Sequence, residues 1–175
     1  MNGLRVDLDQ GETMIQSIGV IGAGQMGNGI AQVAACAGYD VVMIDIKDEY
    51  VEKGLGTIQF SLGKLVSKER MTQDDADAAL ARITTGTDHG MCADCDLVVE
   101  AVPEILSLKQ EIFTELDGIC KPEAILASNT SSISITTIAG STNRPDKVIG
   151  MHFMNPVPIM KLVEIINGAD TSEAT

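Results

Sequence analysis

Residues Ser17 to Asp45 constrain the fold more than any other stretch of the chain. Ile18-Gly-Val-Ile21 is a short apolar run, and Gly22-Ala23-Gly24-Gln25-Met26-Gly27 follows it directly. Met26, Ile30, Val33 and Ala37 then recur at helical spacing until Gly38. Val41-Val-Met-Ile44 is a second apolar run, closed by Asp45, 18 residues after Gly27. A bare G-x-G-x-x-G is weak; between a strand and a helix, with an acid at this distance, it is specific.

Each glycine has its own physical task. Gly22 makes the tight turn off the strand, Gly24 lets backbone approach a pyrophosphate, and Gly27 lets the helix pack closely on the sheet. The N–H groups of the helix start and the helix dipole favour phosphate charge, so Ala23, Gln25 and Met26 join the glycines as candidate cofactor contacts. Asp45 is placed to accept hydrogen bonds from both ribose hydroxyls. A 2′-phosphate would meet its charge, so NAD is expected over NADP, although Lys47 lies close by.

Beyond Asp45, Val51, Leu55, Ile58, Leu62 and Leu65 predict a long helix, with Ser61, Lys64 and Lys68 along one flank. A solvated helix side explains that flank without any ligand. Thr72 caps a second helix carrying Asp74, Asp75 and Asp77 near its start. The two helices are expected as a hairpin protruding from the sheet. Further strands are predicted at Ile83–Thr85, Leu97–Val99, Ala124–Ala127, Val148–Phe153 and Leu162–Ile166. Ser107 and Gln110 fit a capping box for the helix bearing Leu108, Ile112, Leu116 and Ile119, and Ser134–Ala139 reads as a short helix. Strands alternating with helices imply an α/β, doubly wound, mostly parallel sheet of the Rossmann type. Ligands of such sheets sit at the carboxyl ends of the strands, where Gly22–Gly27, Asp45, Glu104, Ser131, His152 and Asn155 collect.

The net charge of −13 disfavours nucleic acid as a partner. No apolar run reaches the roughly 18 residues of a membrane span, and no basic-then-apolar leader is present, so a cytoplasmic protein is expected. Cys92-Ala-Asp-Cys95 is formally C-x-x-C, but it has neither a second pair nor a nearby histidine. Two unpaired thiols and no metal site are the expectation.

Of the two histidines, His89 lies in the polar segment Thr87-Asp-His-Gly90 and reads as a surface residue. His152 lies at a strand end beside the inferred cofactor. A neutral imidazole there suits proton abstraction. A turn through Pro156 and Pro158 would set Glu164 beside it as an orienting carboxylate. Spacing alone does not separate this from a satisfied structural histidine.

The segments IGVIGAGQMGNGIA, DLVVEAVPE, ILASNTSSISIT and GMHFMNPVPIMKLVEII are similar, in order and spacing, to the NAD-binding domain of short-chain L-3-hydroxyacyl-CoA dehydrogenases. The similarity is strongest to bacterial 3-hydroxybutyryl-CoA dehydrogenases and runs from Met14 to about Ala169. It implies reversible hydride transfer between NAD and C3 of a 3-hydroxyacyl-CoA, 3-hydroxybutyryl-CoA giving acetoacetyl-CoA. By position it implies His152 as the acid/base with Glu164 as its partner, and Ser131 on the substrate oxygen and the nicotinamide side. It implies Asn155 as a cofactor-positioning amide, Glu104 and Lys109 at NAD contacts, and Ser61 and Lys68 at coenzyme A contacts.

Residues 1–13 are polar, acidic and without periodicity, and are expected as a flexible extension; the resemblance sets 14–169 as the NAD-binding domain and 170–175 as the start of a helical C-terminal domain. The family's helical domain carries much of the acyl pocket and the homo-oligomer contacts. The chain is therefore read as an N-terminal fragment that binds NAD and turns over poorly alone. Two other readings stand beside it: the same domain from a multifunctional fatty-acid oxidation protein, and a non-catalytic NAD-binding module.

Overall fold

The computed structural model describes residues 15–175, so the extension expected at 1–13, and Met14, lie outside the described residues. In chain order the elements are β1 (Ser17–Ile21), α1 (Gln25–Cys36), β2 (Asp40–Ile44), α2 (Asp48–Ser67), α3 (Gln73–Ala81) and β3 (Ile83–Gly86). A 3₁₀ turn at His89–Cys92 leads into β4 (Leu97–Glu100), α4 (Leu106–Ile119), β5 (Ile125–Ser128), α5 (Ile135–Ala139), β6 (Val148–Phe153) and β7 (Val163–Asn167). Among the described residues the strands form one sheet in the order β3-β2-β1-β4-β5-β6-β7, parallel throughout except for β7 against β6.

Alternation along the strands loads both faces. Val20, Met43, Val99, Ala127 and Ile149 face the α1–α2–α3 side, and Ile21, Ile44, Val98, Leu126 and Val148 face α4 and α5. A sheet covered on both sides explains why its strands read as nearly continuous apolar runs.

On α1 the buried residues include Gly27, Ile30, Ala31, Ala34 and Ala35. Met26 and Val33 are only partly buried and Ala37 is exposed, so the expected stripe is displaced. The cause is that α1 is sandwiched between the sheet and the α2–α3 hairpin, where small residues allow close approach. Ile58 and Leu62 of α2 and Ala76 and Ala79 of α3 anchor the hairpin in that same core. The Thr72 hydroxyl accepts from Asp75 N at 3.1 Å, capping α3 as its sequence predicts.

The capping box expected at Ser107 and Gln110 does not form. α4 starts at Leu106, its N-cap Ile105 makes no side-chain cap, and the Gln110 amide reaches across to Thr137 O at 3.4 Å. Tertiary contacts of Lys109 and Gln110 set this helix start in place of a local cap.

Cys92 and Cys95 are buried free thiols. Cys92 sits so close under β1 that a Cβ on Gly19 would lie 2.8 Å from its sulfur. A hydrogen bond with Cys95, then burial, push the Cys92 thiol up, and burial pushes Cys120 up to about 11. The two sulfurs of the C-x-x-C fill core. Among the described residues, no helix is long and apolar enough to cross a membrane. Residues beyond β7 stay on the sheet: Thr171 donates to Val148 O at 2.6 Å and Ser172 N to Asp146 O at 2.9 Å.

The register aligns the strand ends that matter. Ile21 pairs with Ile44 and with Glu100, Glu100 with Ser128, and Ser128 with Gly150. The loops after β1, β2, β4, β5 and β6 therefore open on one edge, with the change of direction between β1 and β4. Ligands of open α/β sheets bind at such a crevice.

Candidate active site

The glycine turn is built as its sequence requires. Gly22 has φ of +101°, and a Cβ there would lie 2.9 Å from Ala101 O. A Cβ on Gly27 would sit 1.7 Å from Gly22 O, so no other residue fits where α1 meets the turn. Gly24 is the N-cap of α1, and a Cβ on it would meet nothing within 4 Å. The helix mouth has no side-chain cap and no acid in its first turn, which leaves its N–H groups to an anionic ligand. The Asn28 amide braces the turn from inside the helix, donating to Gly24 O at 2.6 Å. No spacing in the sequence marks Asn28 for this role.

Asp45 is fixed against this turn. Its Oδ2 accepts from Ala23 N and its Oδ1 from Ile46 N, each at 2.7 Å. Each oxygen keeps a further lone pair for a hydroxyl donor. A cleft of about 800 Å³ runs from the turn past Asp45 to α4, lined by Gly24, Gln25, Ile46, Val102 and Ile112 among others. The turn, the bare helix mouth, the ribose-height acid and this volume fit a dinucleotide. From α2 the cleft receives Tyr50, Lys53 and Thr57. Ser61 and Lys68 are not part of its lining, and Lys68 stands just past the end of α2 as its C-cap.

At the ends of β4 and β5 lies a charged network that the sequence reading saw only in part. Lys109 is 1% exposed, and its ammonium meets Glu100 at 2.6 Å, Glu104 at 3.1 Å and Val102 O at 3.2 Å. Its three donors are thus spent on protein groups. Lys109, expected at a cofactor contact, is buried and paired with Glu100 and Glu104. Glu100 is fully buried and also accepts from the Ser128 hydroxyl at 2.7 Å. Glu104 accepts from the Thr130 hydroxyl, and from Ser131 N at 2.9 Å with the Ser131 hydroxyl at 3.4 Å. Partial burial works to raise the Glu104 pKa. The Thr130, Ser131 and Lys109 donors outweigh it and hold the carboxyl at about 2. An anionic Glu104 therefore fixes the loop that presents Ser131. Glu100, Ser128 and Thr130 were missed because a polar residue at a strand end has no period to betray it.

Antiparallel pairing places His152 directly opposite Glu164, with Nδ1 2.8 Å from Oε2. The Asn129 side-chain oxygen accepts from Phe153 N at 2.8 Å, tying the end of β6 to the loop after β5. Two contacts carry β6 back toward the glycine turn, although β4 and β5 stand between them in the sheet. Gln25 donates to the Asn155 side-chain oxygen at 3.2 Å. Buried Val157 packs on α1 so tightly that a Cβ on Gly29 would lie 2.8 Å from it. Gly22–Gln25 and Asp45 line the cleft, whereas Glu104, Ser131, His152, Asn155 and Glu164 lie at the ends of β4, β5, β6 and β7 outside its lining, joined to the glycine turn through the Gln25–Asn155 bond. The structure leaves Ser61 and Lys68 apart.

His89 is not the plain surface residue expected. It is half-buried, its Nδ1 lies 2.8 Å from Glu115 Oε2, and both residues line the cleft. The contact partner sits 26 residues away on α4, so no local pattern announces it.

Fold and cleft define a dinucleotide-binding α/β domain of the class that serves nicotinamide-dependent oxidoreductases. Residues 17–175 match the family described as 3-hydroxyacyl-CoA dehydrogenase, NAD binding domain, and the chain belongs to it. It is 57% identical over 157 residues to a probable 3-hydroxybutyryl-CoA dehydrogenase of Deinococcus radiodurans, covering 90% of this chain and 56% of that protein. Against the 3-hydroxybutyryl-CoA dehydrogenase of Bradyrhizobium diazoefficiens the identity is 52%, covering 93% and 55%. The crystal structure of (S)-3-hydroxybutyryl-CoA dehydrogenase from Ralstonia eutropha superposes with a TM-score of 0.90 at 50% identity, covering 91% of this chain and 56% of that one. The chain spans about half the length of the curated relatives it matches.

Proposed function

We propose that this chain carries the NAD-binding and acid–base part of a 3-hydroxyacyl-CoA dehydrogenase acting on 3-hydroxybutyryl-CoA and acetoacetyl-CoA. The observation that supports it most is the convergence of two distant strand ends: Gln25 of the glycine turn bonded to Asn155, three residues from His152. When bound, NAD supplies the hydride acceptor at the nicotinamide and, reduced, the donor. Everything else falls to the protein. The mouth of α1 holds pyrophosphate charge, and Asp45 accepts from the ribose hydroxyls and repels a 2′-phosphate.

His152 Nε2 takes the C3-hydroxyl proton in oxidation and returns it in reduction. Glu164 on Nδ1 fixes the tautomer that leaves Nε2 free to accept, and stabilises the ring once it is charged. The Ser131 hydroxyl, steadied by Glu104, and the Asn155 amide orient the reacting groups. Ser61 and Lys68 contact coenzyme A in this reading, beyond the cleft itself. The full enzyme works in the cytoplasm as a homo-oligomer, joined through the helical domain that the resemblance implies.

The test has two arms. NADH binding is measured on this chain by nicotinamide fluorescence. Acetoacetyl-CoA-dependent NADH oxidation is measured on the chain alone and fused to the C-terminal half of the Ralstonia eutropha relative. Binding by the chain and oxidation by the fusion, abolished by His152→Ala, are expected. A fusion that binds NADH but oxidises it as fast after His152→Ala would defeat the assignment.

A further inference from the structure

The cleft is lined by an imidazole–carboxylate couple that the proposed proton transfer does not use. His89 opens the 3₁₀ turn that crosses the α4 face of the sheet, and Glu115 reaches it from α4. Glu111, one turn earlier on α4, lines the same part of the cleft. Apolar side chains lead from Asp45 to this couple: Ile46 after β2, Val102 after β4, and Leu108 and Ile112 on α4. An apolar slot beyond a ribose-binding acid takes a flat heterocycle, and the few polar groups in it decide which one.

The backbone beneath His89 is firmly held. The Asp88 carboxylate accepts from Gly90 N at 2.8 Å, and buried Cys92 anchors the other end of the turn under Gly19. With Nδ1 on Glu115, the neutral ring carries its proton there, and Nε2 remains an acceptor. Carboxylates accept only. His89, Glu111 and Glu115 therefore offer lone pairs to the cleft, whose side-chain donors Tyr50, Lys53 and Thr57 come from α2.

We propose that His89, positioned by Glu115 and flanked by Glu111, selects the 6-amino purine of the cofactor by accepting from its exocyclic amine, and discriminates against 6-oxo purines. A 6-oxo base would turn its own lone pairs toward these acceptors and leave them unpaired, which is the costly mismatch in a site built for a donor. This rests on the NAD reading and adds the determinant of base identity to it.

The experiment measures equilibrium affinity of this chain for NADH and for reduced nicotinamide hypoxanthine dinucleotide. The native chain should bind the 6-amino form roughly tenfold more tightly. His89→Phe should reduce that ratio to about twofold or less, chiefly by weakening NADH. His89→Asn, which keeps a side-chain acceptor, should restore part of the preference. A native ratio near one overturns the inference without recourse to any variant, and so does a ratio that survives His89→Phe. Failure of the native chain to bind NADH at all removes the NAD reading and this inference together; tight but indifferent binding removes this inference alone.

Discussion

Two histidine–glutamate pairs in this molecule are almost superimposable as chemistry. In both, Nδ1 lies 2.8 Å from a glutamate Oε2, and side-chain exposure is 23% and 52% at His152–Glu164 against 20% and 51% at His89–Glu115. Their surroundings differ. His152 is set by strand register opposite Glu164, on a strand end tied through Phe153 N to Asn129 and followed by Asn155, amides able to donate as well as accept. His89 is set by a turn and a helix, at an apolar slot with further carboxylates. An imidazole held at Nδ1 is a generic device. What faces Nε2 decides whether it moves a proton or holds a base.

The sharpest break between the pairs is His152→Ala in the fused enzyme. It should lower kcat about a thousandfold, within the usual span for a general acid–base group, while the NADH dissociation constant of the chain stays within about twofold. A large fall in affinity would make His152 a cofactor-binding residue like His89 and erase the distinction.

Next in size is Lys109→Met, which acts on the scaffold of the catalytic end. It leaves Glu100 as a buried charge without its cation. It should cost about 3–5 kcal/mol of unfolding free energy by urea titration. A loss below about 1 kcal/mol would mean that this ion pair does not hold the strand end.

Asp45→Ala tests the segment that both ends share. It should weaken NADH binding by about tenfold to a hundredfold, the worth of charge-assisted bonds to two hydroxyls. Undiminished affinity, read by fluorescence titration, would remove the ribose assignment.

The smallest effect is acid sensitivity, spread over the loop after β4, the start of β4 and the end of α4. Glu104 is held at about 2, and Asp96 and Asp117 are also lowered because hydrogen bonds and nearby cations outweigh their burial. A depressed carboxyl contributes stability above its unfolded pKa and loses it as pH falls through the folded one. The urea midpoint should therefore decline from about pH 4.5 toward about pH 2. A flat midpoint over that range would show that these contacts do not stabilise the fold.

Much of the cofactor end was legible because it is local. Gly22, Gly24, Gly27 and Asp45 lie within one βαβ unit, where spacing fixes position. The His152–Glu164 pair was legible for a related reason: a proline-bearing turn joins two consecutive strands and sets them side by side. The second pair, the Lys109 network and the start of α4 were hidden, since each joins residues whose separation along the chain carries no period. His89 looked like a loop residue because its neighbours are polar, and Ser107 looked like a cap because its spacing to Gln110 fits one.

By itself the sequence determined the α/β class, the glycine turn, the acid set against that turn and the pairing of His152 with Glu164. Each depends on the geometry of a few consecutive residues or one hairpin. Only the tertiary structure decided that β6 returns to the glycine turn through Asn155 and Val157, that Lys109 is a buried counter-ion, and that a second imidazole looks into the cleft. Those facts arise from packing helices on both faces of a sheet, where the partner of a side chain is chosen by layer and strand order and not by distance along the chain.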